Sequence, residues 1–175
     1  MTAVDGTAPA PTTRSRTVAW EAPEVAHAAA AGLSGLAIMR GLRDGTIPAP
    51  PIARLIGFEV IKAEPGEIVM QLNPHEGLEN PMGLLHGGAA ATVLDTAMGA
   101  AAHTLAPGGQ AVVTLDLTIT YLRPLNARSG PIRVTGRVIN MGGRTAYVEG
   151  DARDGEGKLV AHAVGNFSLI GPRPR

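Results

Sequence analysis

The sequence predicts an α+β protein in which a curved antiparallel β-sheet wraps around one long central helix, with a helical extension at the N-terminus. Three observations predict it. His86–Thr104 is almost wholly apolar and stops before the breaker Pro107-Gly108-Gly109. Strand-like segments with turn residues between them flank that helix on both sides. A single helix against a single sheet is a two-layer arrangement, and no internal repeat suggests another.

The extension comes first. Residues 1–19 are rich in Thr, Ala, Pro and Arg, a composition that favours disorder. Leu33, Leu36, Met39 and Leu42 recur at helical spacing, so a helix is expected over Pro23–Arg43, stopped by Asp44-Gly45. Pro48, Pro50 and Pro51 mark a connector. The division is therefore an extension over 1–51 and a compact domain over 52–172. Residues 1–45 are expected to be dispensable for chemistry.

Within the domain, Phe58–Ala63 and Glu67–Leu72 form a hairpin across Glu64-Pro65-Gly66. Asn73–Leu85 is an irregular loop, and the long helix follows. Val112–Leu122 alternates: Val113, Leu115, Leu117, Ile119 and Tyr121 are expected on one face, with Thr114, Asp116, Thr118 and Thr120 on the other. Ile132–Met141 and Arg144–Arg153 pair around Gly142-Gly143. Lys158–Ile170 is the last strand.

Composition narrows the function. The chain has 175 residues, 45% hydrophobic and 17% charged, enough for one domain with a core. Aromatic residues are 3%, so that core must be built from Ala, Val, Leu and Ile. Lys plus Arg is 15 and Asp plus Glu is 15, so no net field favours nucleic acid or an anionic membrane. There is no cysteine, which excludes disulfides, thiolate nucleophiles and Cys-ligated metals. The N-terminus does not read as a secretory signal, and no long apolar run suggests a membrane span. A soluble, cytoplasmic protein is expected.

The central helix carries the chemistry. A helix apolar all round is expected to be buried on all sides, yet this one holds a single formal charge, Asp95. A carboxylate there must be hydrogen-bonded, paired or set at a cavity. It is either a structural group bonded to a neighbouring Thr or backbone, or a catalytic base or nucleophile. At the helix start stands His86-Gly87-Gly88. First-turn N–H groups lack intrahelical partners and carry the positive dipole end, and glycine leaves them open to a ligand oxygen. That is oxyanion-hole geometry, although close packing alone would also call for glycine.

Other motifs are absent or weak. There is no GxSxG, HExxH, P-loop or strand-following GxGxxG. His75, Glu76 and His86 match no common metal spacing. Gly142-Gly143-Arg144 is first a hairpin turn, although an Arg there could meet a phosphate.

Taken together, Asn80-Pro81-Met82-Gly83, His86-Gly87-Gly88, Asp95, and the strand carrying Thr114, Asp116 and Tyr121-Leu122-Arg123-Pro124 resemble the PaaI-like hotdog-fold thioesterases. The likeness spans residues 52–170. It implies a hotdog fold, homodimers often paired into homotetramers, acyl-CoA substrates, and neither metal nor other cofactor. It implies that Asp95 activates water or attacks the thioester, that the Gly87 N–H binds the carbonyl oxygen, and that Asn80 orients water or thioester. His86 would shape the loop, and Thr114 would assist the carboxylate. Candidate substrate contacts are Gly88, Leu85, Met98, Arg123, Gly143 and Arg144. Gly87 and Asp95 are eight residues apart, about 12 Å along one helix, so the site is expected to be shared between two subunits. An enoyl-thioester hydratase using His86, and a non-catalytic acyl-CoA-binding protein, are the alternatives on the same fold.

Overall fold

The computed structural model describes residues 12–171. Four helices precede or interrupt a six-stranded sheet: α1 (Pro23–Ala30), α2 (Gly35–Asp44), α3 (Pro51–Ile56) and the long α4 (Gly87–Thr104). The strands are β1 (Phe58–Glu64), β2 (Glu67–Leu72), β3 (Ala111–Tyr121), β4 (Ile132–Met141), β5 (Thr145–Arg153) and β6 (Leu159–Ile170). They lie in the order β1-β2-β4-β5-β6-β3, all antiparallel. The hairpins expected from the turn residues are present, with ends shifted by a residue or so.

The sheet packs on α4 through small side chains. Val93, Leu94, Ala97, Met98, Ala101 and Ala102 are fully buried against it. The approach is close because two strand residues lack a side chain. A Cβ on Gly136 would fall 2.6 Å from the Ala97 carbonyl carbon and 2.7 Å from the Met98 nitrogen. One on Gly150 would meet Met98 Sδ at 2.8 Å. The β1–β2 turn is tied to the far end of α4, where the Gly66 N–H donates to Thr104 Oγ1 at 2.7 Å.

Three features differ from the sequence expectation. First, α4 is not covered on all sides. Thr92, Asp95, Thr96 and Gly99 are only half-buried and Gly88 is exposed. At helical spacing these residues make one partly uncovered stripe, which β3 reaches at Asp95 without closing over it.

Second, the stretch read as one N-terminal helix is two. Gly32 adopts a left-handed φ of 75°, and the Ser34 hydroxyl then caps α2 by accepting the Ala37 N–H. The Pro-rich connector contains α3, which Pro51 opens and Gly57 closes. Met39 on α2 joins the main core. Residues 1–11 of the expected disordered start lie outside the described residues. The segment after them has no helix or strand before Pro23, and Arg16 donates to the Leu55 carbonyl at 3.0 Å.

Third, β3 does not alternate throughout. Thr114 pairs with Phe167 and Asp116 with Asn166, so Leu115 is an extra, unopposed residue. This β-bulge reverses the face assignment of everything before it. Thr114 therefore lies on the helix side together with Leu117, Ile119 and Tyr121, while Leu115 is 58% exposed. Asp116 secures the bulge by accepting the Asn166 backbone N–H at 3.1 Å.

Among the described residues no helix is long and apolar enough to cross a membrane.

Candidate active site

Asp95 sits midway along the uncovered stripe of α4. Thr114, turned inward by the bulge, donates from Oγ1 to Asp95 Oδ1 at 2.7 Å. No described residue bonds the second oxygen, Oδ2. The carboxylate is thus fixed through one oxygen and free at the other. It opens on a largely apolar cavity of about 350 Å³, lined among others by Met39, Leu42, Phe58, Met70 and Phe167.

The start of α4 forms a separate assembly. His86 is the N-cap, and its Nδ1 accepts the Gly88 N–H at 2.9 Å. An accepting Nδ1 places the proton of the neutral ring on Nε2, which is then a donor directed away from the helix. Gly88, expected to share an open oxyanion site, is therefore occupied. The Gly87 N–H meets no acceptor among the described residues and remains a free donor at the positive end of the helix dipole. The Gly87 carbonyl accepts the Tyr121 hydroxyl at 2.8 Å. Burial raises the Tyr121 pKa, which keeps that hydroxyl protonated.

Asn80 organises the loop before the helix. Its side-chain oxygen accepts the Met82 N–H at 2.9 Å and the Leu84 N–H at 3.2 Å. Two donors on one atom identify that atom as oxygen, so the Asn80 NH2 is what remains for a ligand. Asn80, Gly87, Leu85, Tyr121 and Arg123 line a second cavity of about 310 Å³. The Arg123 guanidinium also donates to the Leu159 carbonyl at 3.1 Å.

One chain therefore brings the predicted residues together in two groups rather than one. Asp95 and Thr114 share one cavity; Asn80, Gly87, Leu85 and Arg123 share the other, with His86 and Gly88 beside it. Met98 joins neither, being fully buried between α4 and the sheet. Gly143 and Arg144 are exposed at the β4–β5 turn, away from both. Among the described residues no three His, Asp or Glu side chains group as metal ligands. His75 instead meets Arg16. Sequence reasoning missed Tyr121 as a site residue. Its signal was a lone aromatic, ending the strand, in a chain with two tyrosines.

Comparison with known proteins identifies the family and the fold. The pattern that defines the thioesterase superfamily matches residues 82–161, which include the helix start, Asp95 and β3. A Saccharolobus solfataricus protein provisionally named an esterase is 31% identical over 122 residues, covering 70% of this chain and 85% of its own length. Human acyl-coenzyme A thioesterase 13 is 32% identical over 111 residues, covering 62% of this chain and 77% of that protein. The Escherichia coli PaaI protein from the phenylacetic acid degradation operon superposes with a TM-score of 0.68 at 25% identity, over 76% of this chain and 94% of that one. The wrapped sheet and helix are the hotdog fold.

Proposed function

The chain belongs to the thioesterase superfamily, and from that premise we propose that it hydrolyses an acyl-CoA to free acid and CoA at sites shared by two subunits. Thioester hydrolysis is the chemistry of the family; the acyl-CoA substrate and the residue roles are our reading. Asp95 Oδ2 either removes a proton from water as it attacks the thioester carbonyl, or attacks the carbonyl itself. The carbonyl oxygen becomes an oxyanion held by the Gly87 N–H, with His86 Nε2–H and the Asn80 NH2 beside it. The carbon–sulfur bond then breaks and CoA leaves as the thiol, taking the proton that Asp95 removed from water. On the nucleophilic route water then hydrolyses the acyl–Asp95 anhydride, supplying that proton and releasing the free acid. The observation that carries this reading is the Asp95 carboxylate, anchored by Thr114 through one oxygen and open through the other at an apolar cavity.

The two halves meet when β3 strands pair across a two-fold axis. β3 is an eleven-residue edge strand whose only neighbour among the described residues is β6. An open edge of that length invites pairing. With the axis through Thr118, antiparallel pairing sets Leu117 opposite Ile119 and Asp116 opposite Thr120. Opposed residues must face the same way, and these do. Beyond the bulge at Leu115, Thr114 then comes opposite the partner's Tyr121, both facing the helix layer. Asp95 follows Thr114, and the partner's Gly87 follows its Tyr121.

The test is thiol release from short, medium, long and aryl acyl-CoAs by the parent chain and by Asp95→Asn. The substitution keeps the shape and the Thr114 contact but removes the base. Turnover should fall by about 10²–10⁴-fold with the protein still folded. Near-parental turnover by Asp95→Asn would sink the assignment.

A further inference from the structure

A third cavity lies beneath the N-terminal helices, walled mostly by the extension that precedes the region carrying the resemblance. It measures about 470 Å³. Its walls include Ala26 and Ala30 of α1, Leu33, Ile38 of α2, and Ile47 and Pro48 of the connector. Leu42, Ala49, Pro50 and His103 line both this chamber and the Asp95 cavity, so the two are adjacent and share a wall.

We infer that the N-terminal extension builds the distal part of the acyl-binding site, so that long linear acyl chains run from Asp95 past His103 into the chamber under α1. This rests on the acyl-CoA reading above. Two further observations lead to it. Helix α1 buries none of its own residues, so core packing does not account for its position. Ala26 and Ala30, four residues apart on one face, are its half-buried residues over the chamber, and both have the smallest side chain that still forms helix well. The shared wall is also chemically suited to a hydrocarbon. His103 is held by the Gln110 carbonyl at 3.2 Å, and burial lowers its pKa, so it stands there as a neutral ring.

Length sets which substrates reach the chamber. His103 lies eight residues beyond Asp95, about 12 Å along α4. An extended chain covers about 3.3–3.6 Å per three bonds, so about ten carbons span the inner cavity. Acyl groups shorter than that end before the wall, and those of twelve to sixteen carbons extend beyond it. Each methylene buried there contributes roughly a fourfold gain in affinity.

The experiment measures kcat/KM for hexanoyl-, decanoyl-, dodecanoyl- and hexadecanoyl-CoA with the full chain and with Ala30→Trp, which fills the chamber. Ala26→Leu combined with Ala30→Leu serves as a milder second variant, and thermal unfolding checks that each folds. The readout is the ratio of the hexadecanoyl to the hexanoyl value within each protein, which cancels any loss of folded material. That ratio should fall by at least about tenfold in Ala30→Trp and by less in the double Leu variant, as expected if two or more methylenes lose their burial. An unchanged ratio in both folded variants, with the parent active, overturns the chamber and leaves the hydrolase reading intact. Calorimetric binding of the non-hydrolysable thioethers hexyl-CoA and hexadecyl-CoA tests the chamber without turnover. If the parent cleaves no acyl-CoA yet Ala30→Trp weakens hexadecyl-CoA alone, the hydrolase reading fails and the chamber stands. If Ala30→Trp binds both thioethers as the parent does, the chamber is refuted.

Discussion

Gly136→Ala places a single methyl group between the sheet and the helix that carries Asp95. Gly136 has an ordinary strand backbone, so alanine brings no conformational strain. The cost is steric. The new Cβ would fall on the Ala97 carbonyl group, with the carbonyl carbon at 2.6 Å and the Met98 nitrogen at 2.7 Å. Both are helix backbone, which cannot rotate away, so α4 must retreat by about 1 Å to restore ordinary contact. Overpacking of this kind costs about 1–3 kcal/mol, which for a chain of this size lowers Tm by about 3–10 °C. Ala97 is two residues from Asp95, so the carboxylate moves with it. A displacement of about 1 Å at a reacting group costs on the order of 10²-fold in rate. Thermal unfolding by circular dichroism and thiol release per folded molecule would measure the two effects. Gly150→Ala is the control, because its Cβ meets the Sδ of Met98, the end of a flexible side chain, at 2.8 Å. It should cost less on both measures. Parental Tm and turnover in Gly136→Ala would refute the account of how closely helix and sheet approach.

Two further outcomes follow from single contacts. Tyr121→Phe removes the donor to the Gly87 carbonyl, a bond worth about 0.5–1.5 kcal/mol. Turnover should fall by roughly three- to tenfold while Tm drops by no more than about 6 °C, as measured by thiol release and calorimetry; a larger Tm loss with full activity would make Tyr121 purely structural. His103 is buried with its pKa lowered, mainly by desolvation. The folded state then binds its proton less readily than the unfolded state, so this group's contribution is complete above about pH 6.5 and declines as pH falls towards the lower folded value. His103→Gln should therefore flatten the fall in Tm between pH 7.5 and 5; an unaltered slope would show that His103 does not set it.

The long helix and the hairpins were legible because their periods differ and their stops are Gly- and Pro-rich. Asp95 stood out because one charge in an apolar helix has few explanations. What failed to show was local geometry. One extra residue, Leu115, inverts the faces of β3 without disturbing its apolar composition, so Thr114 was assigned to the wrong side of the strand by alternation. Gly32 and Ser34 look ordinary within a helical repeat until the left-handed turn and the cap are seen together. The Gly87-Gly88 pair suggested two open donors, and only the His86 ring position showed that one of them is taken. The reach of α2 into the core was signalled only in part, by the helical spacing of Leu33, Leu36 and Met39. Met39 and Leu42 line the Asp95 cavity, which argues against treating residues 1–45 as a detachable extension.

Complementation tests the shared site most directly, because the two halves fail independently only if they come from different subunits. Asn80→Asp keeps the oxygen that accepts the Met82 and Leu84 N–H groups but removes the NH2 aimed at the ligand, so the loop should hold while its half of the site is lost. Asp95→Ala removes the other half. Each homodimer should be nearly inactive. In a heterodimer one site collects both lesions and the other has none, so it should recover about half of the parental turnover. Random co-refolding, in which half the dimers are mixed, should then give roughly a quarter of it. The pairing of Asp95→Ala with Thr114→Val supplies the contrast. Thr114 bonds Asp95 within one chain, so both lesions strike the same half and every site in that heterodimer is damaged. Recovery in the first mixture without recovery in the second is the signature of a site built across β3. Equal behaviour of the two mixtures, with heterodimers verified by mass, would mean that each chain completes its own site and that the Thr118 axis is wrong.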